Sequence, residues 1–167
     1  MLKEACDNDQ KKIHQWRNLP EVRDVMFSHH EITLDDHLEW WDKVKLDKAK
    51  QLLLFCNEDE ELGVVYIFDI DRKNKTCHWG FYFGALENVE EKRKFFLWQA
   101  LEVEAIEYVF REIAVEKLIC ESFEFNKAVL MVHLRNGFKK TDEYHKNRQG
   151  KSIRVIETTS LAPSSLD

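Results

Sequence analysis

The polar and apolar positions of the chain change rhythm several times, and each rhythm predicts an element. From Asp9 the apolar residues Ile13 and Trp16 keep helical spacing up to Leu19-Pro20, where proline holds the preceding residue out of helical geometry. Pro20–Phe27 is predicted as helix or turn, ending at Ser28-His29-His30. Thr33 or Asp35 then caps a helix in which His37, Trp40, Trp41 and Val44 follow i, i+3, i+4, i+7 and share one face. Gln51–Cys56 is a continuous apolar run, as a central strand has; Glu58–Glu61 turns it and Leu62–Ile70 returns. A second turn at Asp71–Asn74 leads into an aromatic strand, Lys75–Phe83. A long helix over Val89–Ile113, a strand Lys117–Cys120, a helix opening at Asn126, and strands Lys139–His145 and Ile153–Thr159 around Gln149-Gly150 complete the pattern. Residues 1–8 hold a short first strand, and the segment 160–167 reads as a disordered tail after a single domain over 1–159.

This order (helices, three-strand meander, helix, strand, helix, hairpin) is that of a mixed α/β domain. A chain of 167 residues with 44% hydrophobic content suits one domain with its own core. A net charge of −6 excludes a general nucleic-acid binder, though a local basic patch still suits a phosphorylated ligand. Cys6, Cys56, Cys77 and Cys120 lack metal-ligand spacing and read as small core hydrophobes in a reducing compartment, so no metal is expected. No stretch approaches the roughly 18 apolar residues of a membrane helix and no signal peptide is visible, so a cytoplasmic location without a membrane partner is expected.

The segment Asn126–Phe138 carries the chemistry. Asn126 is expected to cap a short, mostly buried helix, and Gly137 to stop it in a left-handed turn with Phe138 folded back over the last turn. His133 interrupts the apolar run. A histidine there is either a satisfied core group or a proton carrier. This pattern resembles the helix beside the acyl-CoA thiol in GNAT-superfamily acyltransferases, where a Tyr or His protonates the leaving sulfur. By that resemblance His133 is the proton donor and Asn126 meets the pantetheine arm.

Upstream, Trp16-Arg17-Asn18, Val22-Arg23, Met26, Ile32–His37 with Trp40, and Trp79-Gly80-Phe81-Tyr82 are similar to one branch of that superfamily, the PseH-like sugar-nucleotide N-acetyltransferases. The likeness runs from about Ile13 to about Thr158. It implies the GNAT fold, a mixed twisted sheet with flanking helices and a splay between its central strands. It implies acetyl-CoA as co-substrate, no covalent acyl-enzyme, and transfer to the 4-amino group of a UDP-linked amino-deoxysugar. The matched residues are then Arg17, Asn18, Met26, Phe27, His37, Trp40 and Tyr82 for the acceptor, with Arg17-Asn18 equally suited to fixing the local loop. Glu121 or His37 would be the base, and the backbone near Phe81, Tyr82 and Phe83 would hold the oxyanion. The glycine-rich pyrophosphate loop of the superfamily is missing. Glu87–Lys94 contains no glycine, and Lys92, Arg93 and Lys94 are left to attract the phosphates. Two alternatives stand beside this expectation: a RimJ-like protein N-terminal acetyltransferase, and a binding module on the same scaffold. The chain is expected as monomer or homodimer.

Overall fold

Gln51–Asn57 is buried on both faces, from Leu52 through Cys56, so layers have to cover it from both sides. The computed structural model describes residues 1–163 except Asp59, Ala85, Glu87 and Asn88 and shows how this is done. In chain order the elements are β1 (Leu2–Glu4), α1 (Gln10–Arg17), α2 (Pro20–Val25), α3 (Leu34–Val44), β2 (Gln51–Asn57), β3 (Glu60–Asp71), β4 (Thr76–Phe83), α4 (Glu91–Tyr108), β5 (Lys117–Phe123), α5 (Lys127–Arg135), β6 (Lys139–Arg148) and β7 (Lys151–Leu161). The strands form one sheet in the order β1-β2-β3-β4-β5-β7-β6. All neighbours are antiparallel except β4 and β5.

Side chains alternate across the sheet and build two cores. On one face Leu52, Leu54, Cys56 and Val64 meet Ile13 of α1 and Trp41 and Val44 of α3. On the other, Leu53, Phe55, Val65, Ile67, Trp79 and Leu118 meet Leu97, Leu101 and Ala105 of α4. The predicted elements are all present, with shifted ends. Thr33 is the cap of α3, its Oγ1 accepting from Asp36 N–H at 3.1 Å. The long helix closes in a π-helical turn, Val109–Ile113, and stops at Ala114 in left-handed geometry (φ +59°), a role glycine normally fills. β5 runs three residues past its expected end. β7 continues through Ser160 and Leu161, which pair with Leu118 and Lys117, so the sheet claims the first two residues of the expected tail. Residues 164–167 of that tail, Asp59 of the first hairpin, and Glu87 and Asn88 of the pre-helix loop lie outside the described residues.

The sheet opens at its only parallel junction among the described residues. β4 and β5 are partners at Thr76–Lys117, Cys77–Leu118 and His78–Ile119, and no further. From Trp79 and Cys120 onward the two strands diverge, the splay that the resemblance implied. α5 corrects the sequence in two respects. Asn126 makes no side-chain capping bond. The helix is half solvated rather than mostly buried: Met131 and Leu134 are 50% and 58% exposed, and only Val132 and His133 are buried. Its end is as expected, with Gly137 at φ +88° and Phe138 donating its N–H to the His133 carbonyl at 3.0 Å.

Candidate active site

A cavity of about 700 Å³ passes through the splay, within the size range of small-ligand sites. Because neighbouring residues of a strand face opposite ways, β4 and β5 supply its walls on both sides of the sheet. Toward α4 and α5 it is lined by Trp79, Phe81, Cys120, Ser122, Asn126 and Val129. Toward α1 to α3 it is lined by Arg17, Met26, Phe27, His37, Trp40 and Tyr82, with Glu121. Gly80 sits in the gap, and a Cβ there would meet nothing within 4 Å, so the strand leaves open space at that point.

Most of the expected acceptor residues thus come together. Arg17 reaches Ser28, its Nη2 donating to the carbonyl at 2.7 Å and to Oγ at 2.9 Å; its Nη1 is buried without a partner among the described residues. Burial lowers the Arg17 pKa. Phe27 packs edge-on against Phe123 at 4.9 Å and carries Lys146 Nζ 4.1 Å above its ring. His37 is 3% exposed and stacks among His14, Trp40 and Trp41. Its Nε2–H donates to the Gln10 carbonyl at 3.0 Å. Burial first, and His14 second, lower its pKa, so the ring is neutral at pH 7. Tyr82 lines the cavity with its hydroxyl pKa raised by burial.

Other expected residues lie outside the cavity. Asn18 does not line the cavity. Its amide closes a loop, donating to the Ile32 carbonyl at 2.8 Å and accepting the Ile32 N–H at 2.9 Å. The Phe83 side chain belongs to the core under α4, while its backbone lies on the β4 edge that has no β5 partner beyond His78. Lys92, Arg93 and Lys94 lie on the first turns of α4, away from the cavity, with Lys94 Nζ paired with Glu91 at 2.7 Å.

The largest correction concerns His133. The ring is 0% exposed and faces the interior. Nδ1 lies 2.9 Å from Glu102 Oε1, and Nε2 lies 3.0 Å from Cys120 Sγ. Trp79, Phe81 and Phe138 surround it, with centroids at 5.6, 6.3 and 4.9 Å. Burial works to lower its pKa, but Cys120 and Glu102 outweigh that and raise it. The ring is not among the residues lining the cavity, whereas Cys120, which its Nε2 touches, is.

Two residues that sequence reasoning missed complete the site. Tyr144 of β6 donates its hydroxyl to Glu121 Oε1 at 2.9 Å. Burial, then the Glu121 carboxylate, push its pKa up to about 12. Glu102 sits inside α4 as a fully buried carboxylate, visible in sequence only as a charge interrupting the apolar residues of a long helix.

The profile of the acetyltransferase (GNAT) domain matches residues 1–139. The chain belongs to the GNAT acetyltransferase family. This GNAT domain is 28% identical over 131 residues to the acetyltransferase PseH of Campylobacter jejuni strain 81-176, covering 78% of this chain and 77% of that protein. The PseH of C. jejuni strain NCTC 11168 gives 27% over 133 residues, 80% and 78% of the two chains. Among solved structures, the spermidine N-acetyltransferase of Vibrio cholerae, in complex with CoA and spermine, superposes with a TM-score of 0.85 at 15% identity over 96% and 94% of the chains. At that identity the likeness concerns the fold. The GNAT domain is an N-acetyltransferase with an α/β sheet of seven strands. Among the described residues no helix is long and apolar enough to cross a membrane, and no group of three or more His, Cys, Asp or Glu side chains is placed to hold a metal.

Proposed function

We propose that the protein transfers an acetyl group from acetyl-CoA to the amino group of a nucleotide-linked amino-deoxysugar, in the cytoplasm. The observation that carries this reading is the cavity through the β4–β5 gap, with Glu121 in its lining and an aromatic wall on the side of α1 to α3. The residues fit the acyl end of a pantetheine thioester. The gap is apolar where Phe81 and Val129 line it, open at Gly80, and offers the Asn126 amide, which no helix cap consumes. The donor supplies an activated carbonyl; everything else falls to the side chains. An acceptor amine arrives as ammonium and has to lose a proton before it is nucleophilic. Glu121 is the assigned base, because it lies in the gap itself, held by Tyr144. His37, the other candidate, uses Nε2–H on Gln10 and is enclosed by three rings. The unpaired edge of β4 beyond His78 faces the gap and is the assigned oxyanion support.

The acceptor class follows from the far wall. Arg17, with a buried unpartnered Nη1, suits a phosphate oxygen, while Phe27 and Trp40 offer faces on which a base can stack, worth about 1–3 kcal/mol per base. The PseH relatives support the same class. A panel of UDP- and dTDP-linked 4-amino sugars, N-terminal peptides and polyamines, each with acetyl-CoA and read by product mass, tests the proposal. A nucleotide sugar should be the substrate with the highest kcat/KM. Turnover of peptides or polyamines alone would replace the acceptor, and no binding of acetyl-CoA in a calorimetric titration would remove the transferase reading.

A further inference from the structure

The buried chain Glu102–His133–Cys120 has no place in the reaction as described above. It joins α4, α5 and β5 through contacts of 2.9 and 3.0 Å, and ends at a thiol that lines the cavity. All three side chains are nearly sealed, at 0%, 0% and 4% exposure. A carboxylate buried this deeply is costly unless a positive partner faces it. Its Oε2 has no hydrogen-bond partner among the described residues, so the demand on His133 is high. The groups facing the ring from β4 and from beyond α5 are Trp79, Phe81 and Phe138, none of them charged. The Glu102 carboxylate therefore favours the imidazolium form of the ring, which stands between that carboxylate and the Cys120 sulfur.

We propose that Cys120 is the proton donor facing the acyl-transfer cavity, reloaded through His133 under the hold of Glu102. The proposal rests on the acetyl-transfer reading and replaces the direct role that the sequence suggested for His133. As the C–S bond of the donor breaks, the Cys120 S–H bond breaks too, and its proton goes to the departing sulfur. The electron pair stays on Cys120 Sγ, where the imidazolium Nε2–H stabilises it and then returns a proton. Nδ1–H stays on Glu102 throughout. One of the two protons that the acceptor ammonium gives up restores the ring, and the other is released. Atoms and charge balance without an added oxidant or reductant. Cys120 is the residue that meets the reacting group, and His133 and Glu102 are positioning residues.

Cys120→Ser keeps the shape and the hydrogen bond to His133 but removes an acid able to carry the anion, and Cys120→Ala removes both. Each should lower kcat by about 10²-fold or more. Both KM values should stay within about threefold, as for an interaction made only in the transition state. Either variant retaining kcat within about threefold of wild type overturns the relay. A second readout needs no substrate. The ring ¹⁵N shifts of His133 in the free protein should show both nitrogens protonated at pH 7, and Glu102→Gln should move that titration downward. A neutral wild-type ring at pH 7, or no movement in Glu102→Gln, overturns it as well. Failure of the wild type to bind acetyl-CoA sinks the transferase reading and the leaving group with it. Binding with full turnover in Cys120→Ser sinks the relay alone.

Discussion

Gly84→Ala is the substitution with the sharpest structural consequence outside the cavity. Gly84 follows β4 and extends its ladder, donating its N–H to the Leu62 carbonyl at 2.9 Å. A Cβ at this position would lie 1.8 Å from Cγ, 1.9 Å from Cδ2 and 2.3 Å from Cδ1 of Trp16. Those are atoms of the inner ring, not a free end, so no rotation of a terminal group relieves the clash. Carbon atoms rest at about 3.5–4.0 Å, so ring and strand end have to part by about 1.5 Å or more. Trp16 packs against the core formed by Ile13, Trp41 and Leu54, and moving it opens that core as well. Overpacking of this kind costs about 1–3 kcal/mol, and the depth of the overlap places Gly84→Ala near 3. For a chain of this length that is a fall in Tm of roughly 6–12 °C. Urea unfolding followed by tryptophan fluorescence and circular dichroism measures it, with an unchanged m-value as the sign that only stability moved. Trp16→Ala is damaging alone, but in its background the new methyl enters vacated space. The double mutant should then be markedly more stable than the sum of the single effects. A destabilisation by Gly84→Ala below about 0.5 kcal/mol, or strict additivity with Trp16→Ala, refutes the close approach of strand and indole.

Four further outcomes follow from single residues. Ala114→Gly should stabilise the protein by about 0.5–1 kcal/mol in the same unfolding assay, because Ala114 sits at φ +59°, where a Cβ is strained. Glu121→Gln should lower kcat by about 10²–10⁴ while leaving Tm nearly unchanged, and Tyr144→Phe should lower it less, measured with the acceptor that the panel identifies. Asp9 gives a pH signature. Burial alone would raise its pKa, but the Cys6 N–H at 2.9 Å and Lys12 Nζ at 2.8 Å hold it below the ordinary value. A folded pKa below the unfolded one means that the stabilisation is present above the ordinary 3.8 and is lost as pH falls through the lowered value. Asp9→Asn should therefore flatten the acid limb of stability between about pH 5 and pH 2 and leave its slope above pH 6 unchanged, read by urea unfolding across pH.

Elements with a strong local rhythm were legible in the sequence. Gln51–Asn57 announces a central strand by continuous apolarity, and Gly137-Phe138 announces a helix end by backbone freedom. Of the residues lining the cavity toward α1 to α3, His37 and Trp40 were legible from spacing, since they share one face of α3; Arg17, Met26 and Phe27 were legible only through the resemblance, and Met26 and Phe27 lie just past the end of α2. Asn18 left two readings open, acceptor contact or loop tie, because its partner, Ile32, is fourteen residues away and local pattern says nothing about that loop. Asn126 was misread because residue type gives a capping tendency but not the dihedral angles at the helix entry. Tyr144 was invisible because its role depends on β6 lying beside β7 and β7 beside β5, a pairing across three strands.

His133 shows why a correct motif still gave the wrong geometry. The apolar spacing around it identifies a helix that packs against the sheet, and the residue does face the reactive strand. Which atom comes next to the cavity is decided by β5, whose alternation puts Cys120 and Ser122 toward α4 and α5, and Glu121 toward α1 to α3. One strand thus delivers a carboxylate to one face of the sheet and a thiol to the other from adjacent positions, the acceptor and donor sides of the proposed reaction. Proton removal from an amine and proton delivery to a sulfur are needed on opposite sides of the same carbonyl. A strand with period two, freed from its neighbour after His78–Ile119, supplies both without any loop. In the proposed relay the buried carboxylate in α4 has a role: it holds the imidazole that stands behind that thiol.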